Sequence, residues 1–305
     1  MLKSMLAAAA FALLACGQAA SQTPADPNRL FADSKLVVRD RFSDEIIGKG
    51  PDLVFIPGLS SSRATWKATA ERLRGKHRLH LIQIAGFSGE PARANATGDV
   101  LVPTAEAIDA YLVEQKLTPA TLIGHSLGGT TVLYLAEKHP EHLKKAMMVD
   151  ALPFLPQMQG NPAITADQIR PVAARIRDGM VAGGAGYEAG VKSAVAAMVT
   201  GAADTQMVVG WGMASDPGVV GRAYYDDFLL DLRPGLAGLK TPLTLLYPDN
   251  VPNHAPPGMM AKVYPALYAA APMVKPVVVA NAKHFIMLDQ PKAFADALDA
   301  FLAQP

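Results

Sequence analysis

Hydrophobic and polar positions along this chain follow two alternating periods. Short, nearly unbroken apolar runs recur at Leu36-Val37-Val38, Leu53 to Ile56, Leu79 to Ile84, Thr121-Leu122-Ile123, Ala146 to Val149, Leu243 to Tyr247 and Pro276 to Ala280. Runs of this length predict buried strands, and Glu45-Ile46-Ile47 joins the first of them as an opening strand pair. Helical spacing fills the intervals over Thr65 to Leu73, Thr104 to Gln115, Leu127 to Lys138, Met259 to Ala270 and Pro291 to Leu302. Strands alternating with helices predict an α/β fold, with a mostly parallel central sheet covered by helices on both faces. The alternation stops between Leu152 and Leu232, where helix-like segments rich in Ala, Gly and Met replace the strand runs. The expected organisation is therefore a core over 35–151 and 233–305, interrupted by a helical cap over 152–232. Neither an internal repeat nor a low-complexity stretch interrupts it.

The start of the chain reads as an address. Lys3 gives a short positive beginning, Met5 to Ala15 is apolar, and small residues follow at Gly17, Ala19, Ala20 and Ser21. That pattern predicts a signal peptide over 1–20, too short for a stable membrane span, followed by a polar tether over 21–34. Leu13-Leu14-Ala15-Cys16 also resembles a bacterial lipoprotein box, so a lipid anchor at Cys16 stands as the alternative to ordinary cleavage. The expected location is periplasmic or secreted, without membrane insertion after processing.

Composition narrows the function classes. The chain has 305 residues, half of them hydrophobic, with 28 Lys+Arg against 27 Asp+Glu. No basic face is implied, which argues against a nucleic-acid partner. The single cysteine excludes an internal disulfide and a cysteine-based zinc site. No cofactor or metal is expected.

The chemistry concentrates at Gly124-His125-Ser126-Leu127-Gly128, a G-x-S-x-G motif extended by Gly129. It follows a strand and opens a helix, which is the setting a nucleophile elbow requires. Small residues two before and two after the serine let the strand turn sharply, holding Oγ exposed. Leu127 N–H then lies at a helix N-terminus, where it favours developing negative charge.

At these residues, together with the late Lys283-His284-Phe285, the sequence resembles the α/β-hydrolase family, and within it the serine hydrolases with a helical cap. The resemblance spans nearly all of the chain after Ser34. It implies a chain order of nucleophile, acid and histidine. His284, after the Val277 to Ala280 run, matches the base, with His254 its rival. His77, His80, His139 and His142 fall in the scaffold, where surface or core roles are expected. The acid is expected at Asp249, in Tyr247-Pro248-Asp249-Asn250, although no glycine precedes it. Asp150, at the end of an earlier strand, occupies a place from which some serine hydrolases take their acid; a turn residue opening the insertion is its other reading. Leu59 N–H, in Ile56-Pro57-Gly58-Leu59, is the implied partner of Leu127 N–H in the oxyanion hole. Pro57 stands where many relatives carry His, which leaves open how this loop is held.

Trp66 is read either as lining the acyl pocket or as core. Five of the 13 methionines fall in the cap, with Trp211, Tyr224, Tyr225 and Phe228. Such residues suit either an adaptable apolar pocket or simple packing of the cap. Asp226, Asp227 and Asp231, with Arg222 and Arg233, are expected at solvated edges, with a site for a substrate amine as the alternative. The expected activity is hydrolysis of small to medium, mostly apolar carboxylic esters through an acyl-enzyme on Ser126. A carbon–carbon bond hydrolase, an aminopeptidase, a cofactor-free perhydrolase and a non-catalytic binding protein are the competing readings.

Overall fold

The computed structural model describes residues 29–249 and 258–304. The expected signal peptide over 1–20, Cys16 and His254 lie outside the described residues. The chain opens with the antiparallel strands β1 (Lys35–Val38) and β2 (Phe42–Gly48), then β3 (Asp52–Ile56), helix α1 (Lys67–Leu73) and β4 (Arg78–Ile84). Helix α2 (Leu101–Glu114), β5 (Ala120–His125), α3 (Leu127–Lys138) and β6 (Leu143–Val149) follow. The segment between β6 and the next strand carries α4 (Ala166–Val181), α5 (Gly184–Met198), α6 (Ala202–Ala214) and α7 (Pro217–Leu229). The core resumes with β7 (Leu243–Pro248), α8 (Met260–Leu267), β8 (Val274–Val279), the short α9 (Ile286–Asp289) and α10 (Pro291–Leu302).

These strands form one eight-stranded sheet in the order β1-β2-β4-β3-β5-β6-β7-β8. β2 pairs antiparallel with β1 and β4, and every pairing from β4 onward is parallel. The central strands are buried on both faces, which is why they read as continuous apolar runs. On one face α2 and α3 pack Ile108, Leu112, Val132 and Leu135 against Val54, Leu122 and Met148. On the other, α1 and α10 bring Ala70, Leu73, Phe294 and Leu298 against Phe55, Leu79 and Ile123. Each such fully buried large side chain contributes about 1.5–3 kcal/mol. Trp66 belongs to this second layer: it has no exposed surface and sits between Phe55 and Phe294, with ring centroids 5.3 and 6.0 Å away.

The tether expected over 21–34 is corrected from Arg29 onward, because this stretch is docked on the sheet. Leu30 and Phe31 N–H both donate to the Glu45 carboxylate at 2.9 Å, and Ser34 Oγ adds a bond of 2.6 Å. Glu45 lies in β2 with no exposed surface, and a buried carboxylate requires such donors. Phe31 is buried alongside.

Candidate active site

β5 delivers the nucleophile candidate to the centre of the sheet. Ser126 follows directly, with φ 53° and ψ −124°, a conformation costing a non-glycine residue on the order of 1–3 kcal/mol. Two hydrogen bonds hold the bend: Ser126 N–H donates to Val149 O and Thr130 N–H to Ser126 O, each at 2.9 Å. The flanking glycines are demanded by space. A Cβ on Gly124 would lie 2.1 Å from Gly128 O, and one on Gly128 would lie 2.3 Å from Ile56 O. Strand, elbow and helix therefore touch backbone to backbone. Leu127 opens α3, so its N–H is among the amides without an intrahelical acceptor.

The loop after β3 closes on the same point, since a Cβ on Gly58 would lie 3.0 Å from Ser126 Cβ. Leu59 comes next and Ser60 has φ 52°. The loop is held from beneath rather than by a histidine in place of Pro57. Gln83 Nε2 donates to Ser61 O at 3.1 Å, and Gln83 Oε1 accepts from Arg63 N at 2.8 Å. Arg63 is fully buried and reaches Ser43 Oγ and, at 3.6 Å, Glu45. From the cap side Ser215 Oγ bridges Ser88 N at 2.8 Å and Ser60 O at 3.3 Å.

His284 lies between β8 and α9. Its Nδ1 stands 2.6 Å from Asp150 Oδ2, and Tyr264 Oη donates to Asp150 Oδ1. Burial and the Asp150 charge together push the Tyr264 phenol well above its ordinary range, so it remains a donor. The His284 loop is braced at several points. Its carbonyl accepts from His125 Nε2 at 3.1 Å, and the two rings lie 4.5 Å apart. Burial, then the neighbouring His284, hold His125 well below the usual imidazole range, so it stays neutral. Asp289 accepts from Lys283 N–H and from Thr200 N–H of the cap, each at 2.8 Å, and Phe285 N–H donates to Met198 O.

Ser126, His284 and Asp150 line one cavity of about 210 Å³. Its walls are mostly apolar, from Leu152, Leu155, Met158 and Met198, and one further carboxylate, Asp227 of α7, enters it from the cap. Burial pushes the Asp227 carboxyl up to about 6, opposed by a hydrogen bond with Thr130 and reinforced by the like charge of Asp226. The arrangement supplies a serine at a strained turn, an imidazole backed by a carboxylate, and the amides of a helix N-terminus beside them. Those are the parts that acyl transfer uses.

A profile described as the alpha/beta hydrolase family matches residues 53–297. The chain belongs to that family. A pimeloyl-[acyl-carrier protein] methyl ester esterase of Aeromonas salmonicida is 35% identical over 111 residues, covering 36% of this chain and 42% of that protein. The chain thus spans under half the length of this curated relative. Among solved structures, a hydrolase from Pseudomonas aeruginosa superposes with a TM-score of 0.71 at 16% identity, covering 90% of this chain and 99% of that one. An enol-lactonase from Burkholderia xenovorans gives 0.69 at 17% identity, covering 86% and 96%. An esterase from Exiguobacterium antarcticum gives 0.70 at 20% identity over the same shares, and these likenesses are of fold.

Within this family scaffold, the structure brings Ser126, His284, Leu127 and the Gly58-Leu59 loop to one place. It corrects the acid: the carboxylate on His284 is Asp150, not Asp249. β6 lies beside β5, with Val149 opposite His125, so the residue after β6 emerges next to the elbow. Asp249 instead prolongs the outer ladder, its N–H donating to Val279 O at 3.2 Å. Asp227 is likewise no solvated edge, and Asp226 caps α2 by accepting from Val100 and Leu101 N–H at 2.6 and 3.0 Å. Arg233 and Asp231 do form the expected ion pair. Of the five cap methionines only Met158 and Met198 line the cavity, whereas Met180 joins a packed cluster and Met207 is exposed. Tyr264 and His125 join the site beyond the sequence expectations, His125 alone of the two lying inside the motif, while Asp227 stands in the sequence only within a charged group.

Proposed function

We propose that this chain hydrolyses small to medium, neutral, mostly apolar carboxylic esters through an acyl-enzyme on Ser126. The observation that carries the proposal is the convergence of Ser126 and the His284–Asp150 pair on one apolar-walled cavity. His284 Nε2 takes the Ser126 proton as Oγ forms a bond to the ester carbonyl carbon, and the carbonyl π pair moves onto oxygen. Leu127 and Leu59 N–H stabilise that oxyanion; such a donor is worth about 10²–10³ in kcat. The oxyanion then collapses, the C–O bond to the alcohol breaks, and His284 returns the proton to the leaving oxygen. Water repeats the sequence on the acyl-enzyme. Asp150 fixes the proton on Nδ1 and supports the imidazolium, with Tyr264 fixing Asp150 in turn.

Asp227 sharpens the substrate class. Above a pH of about 6 it places a negative charge in the cavity, which disfavours esters bearing a carboxylate near the scissile bond. Export to the periplasm or outside the cell, by the address in residues 1–20, is part of the same proposal, and finding the protein only in the cytoplasmic fraction would sink that part.

The purified chain from Ser21 and its Ser126→Ala variant test the activity, with p-nitrophenyl esters of increasing acyl length and a fluorophosphonate label. Turnover and labelling in the parent, both abolished in the variant, are expected. The loss in kcat is on the order of 10⁶-fold, because such residues act as a unit. Folded parent protein that neither turns over nor labels would reject the reading.

A further inference from the structure

A second cluster of chemically capable side chains lies at the far end of α3 from Ser126. His139 ends that helix, and His142 closes the short 3-10 turn Pro140–His142 after it. Asp109, on α2, faces both. Asp109 Oδ1 is 2.9 Å from His142 Nδ1, and Oδ2 is 3.8 Å from His139 Nδ1. The two imidazoles lie parallel, 4° between planes and 5.7 Å between centroids. On the outer side of His139, Nε2 meets Glu106 Oε2 at 3.0 Å, and Glu106 also accepts from Tyr134 Oη at 2.6 Å.

This hydrogen-bond pattern fixes what the inner nitrogen can be. Glu106 is an acceptor, so His139 donates its Nε2–H outward, and in the neutral ring Nδ1 is then a bare lone pair. That lone pair faces a carboxylate oxygen at 3.8 Å, beyond hydrogen-bond range. Two acceptors opposed across this gap call for a cation between them. A second proton on His139 would supply one, beside a parallel ring that already shares its own proton with Asp109. A divalent metal ion would satisfy all three donors at once.

We propose that Asp109, His139 and His142 bind a zinc-class divalent ion. One ligand atom from each lies within 4.8 Å of the other two. Zinc bonds of about 2.0–2.2 Å place tetrahedral ligands about 3.3 Å apart, so small side-chain rotations close the site. Two imidazoles and one carboxylate suit zinc better than magnesium or calcium, which prefer all-oxygen shells. Glu106 supplies the outer carboxylate that orients a metal-bound histidine and raises its basicity. Both histidines are about a quarter exposed, which gives the ion a route in and leaves its fourth position to water. Uptake releases the proton that His142 shares with Asp109. The site is a clamp and not a reaction centre: the 12 residues of α3 place it about 18 Å from Ser126. A bound ion would tie α2, the end of α3 and the following turn together.

The test uses the full mature chain, dialysed against chelator and titrated with Zn(II) by calorimetry, with Tm followed in parallel. One ion per chain and a raised Tm are expected. Both effects should vanish in His142→Ala and in Asp109→Asn, and survive in His284→Ala, which separates this site from the cavity. Ester turnover by the loaded parent should match that of the metal-free parent. Absence of saturable binding, or equal binding by a folded His142→Ala, overturns the proposal. If that variant fails to fold, His142→Gln, checked by circular dichroism, decides in the same way.

Discussion

The parallel core and the helical cap are built on different terms. In α3, next to the elbow, every residue from Leu127 to Ala136 is buried, and a Cβ on Gly124 or Gly128 would run into backbone. In the cap, α4 buries only Ile169 and Ala173, α5 only Tyr187 and Val195, and Gly186 and Gly190 have open space around them. Hydrogen bonds join the cap to the core through Asp226, Arg222, Asp216, Ala214, Ser215, Thr200, Ala196, Val199 and Met198. Tight packing holds a strained serine and an imidazole in register, because a packed core transmits any displacement. The outer cap helices pack loosely, whereas α7 buries Val219, Val220 and Ala223 against the core. The candidate site takes its serine and imidazole from the tightly packed layer and part of its wall, with Met158, Met198 and Asp227, from the cap.

The sharpest way to break this comparison is at the His284 carboxylate. Asp150→Asn should lower kcat on the order of 10⁴-fold, by favouring the wrong imidazole tautomer. Asp249→Asn, at the outer edge of the same sheet, should leave kcat/KM near the parent value. The reverse ranking, read from steady-state rates, would return the acid to Asp249. Next come the two kinds of glycine. Gly124→Ala should destabilise by roughly 1–3 kcal/mol in urea titration, since its Cβ meets Gly128 O. Gly190→Ala, inside α5 with nothing nearby, should stabilise by about 0.5–1 kcal/mol. Equal effects at the two sites would erase the contrast.

The smallest expected effect concerns Asp227. Its carboxyl is raised to about 6 in the folded chain, so between its ordinary value and that pH the folded state holds the proton more tightly. Stability therefore falls as pH rises through this window, and the full cost of the buried charge is present above it. Asp227→Asn should raise Tm at pH 8 but not at pH 4, and should increase the relative rate on carboxylate-bearing esters. A Tm difference independent of pH would show that ionisation of Asp227 costs the fold nothing.

Much of this was legible in the chain alone. Apolar runs located the strands because a doubly covered parallel sheet has no polar face to disguise them. The two glycines around Ser126 announced the elbow, since the turn admits no Cβ, and the cap was visible as the place where strand runs stop. The identity of the acid was not legible. Asp150 and Asp249 both follow strands, and their difference lies in which strand neighbours β5, a fact of sheet order. Tyr264 was equally silent and Asp227 stood out only as one of several charges, because an acid on a helix and a tyrosine in a core look ordinary until folding brings them to the cavity. The pairing of Asp109 with His139 and His142 is of the same kind, joining residues some thirty positions apart across two packed helices. Sequence by itself determined the layers and the elbow at Ser126, because each is set by local periodicity or local sterics. Tertiary structure alone decided which carboxylate faces which histidine, because electrostatic partnership depends on distances that no local pattern encodes.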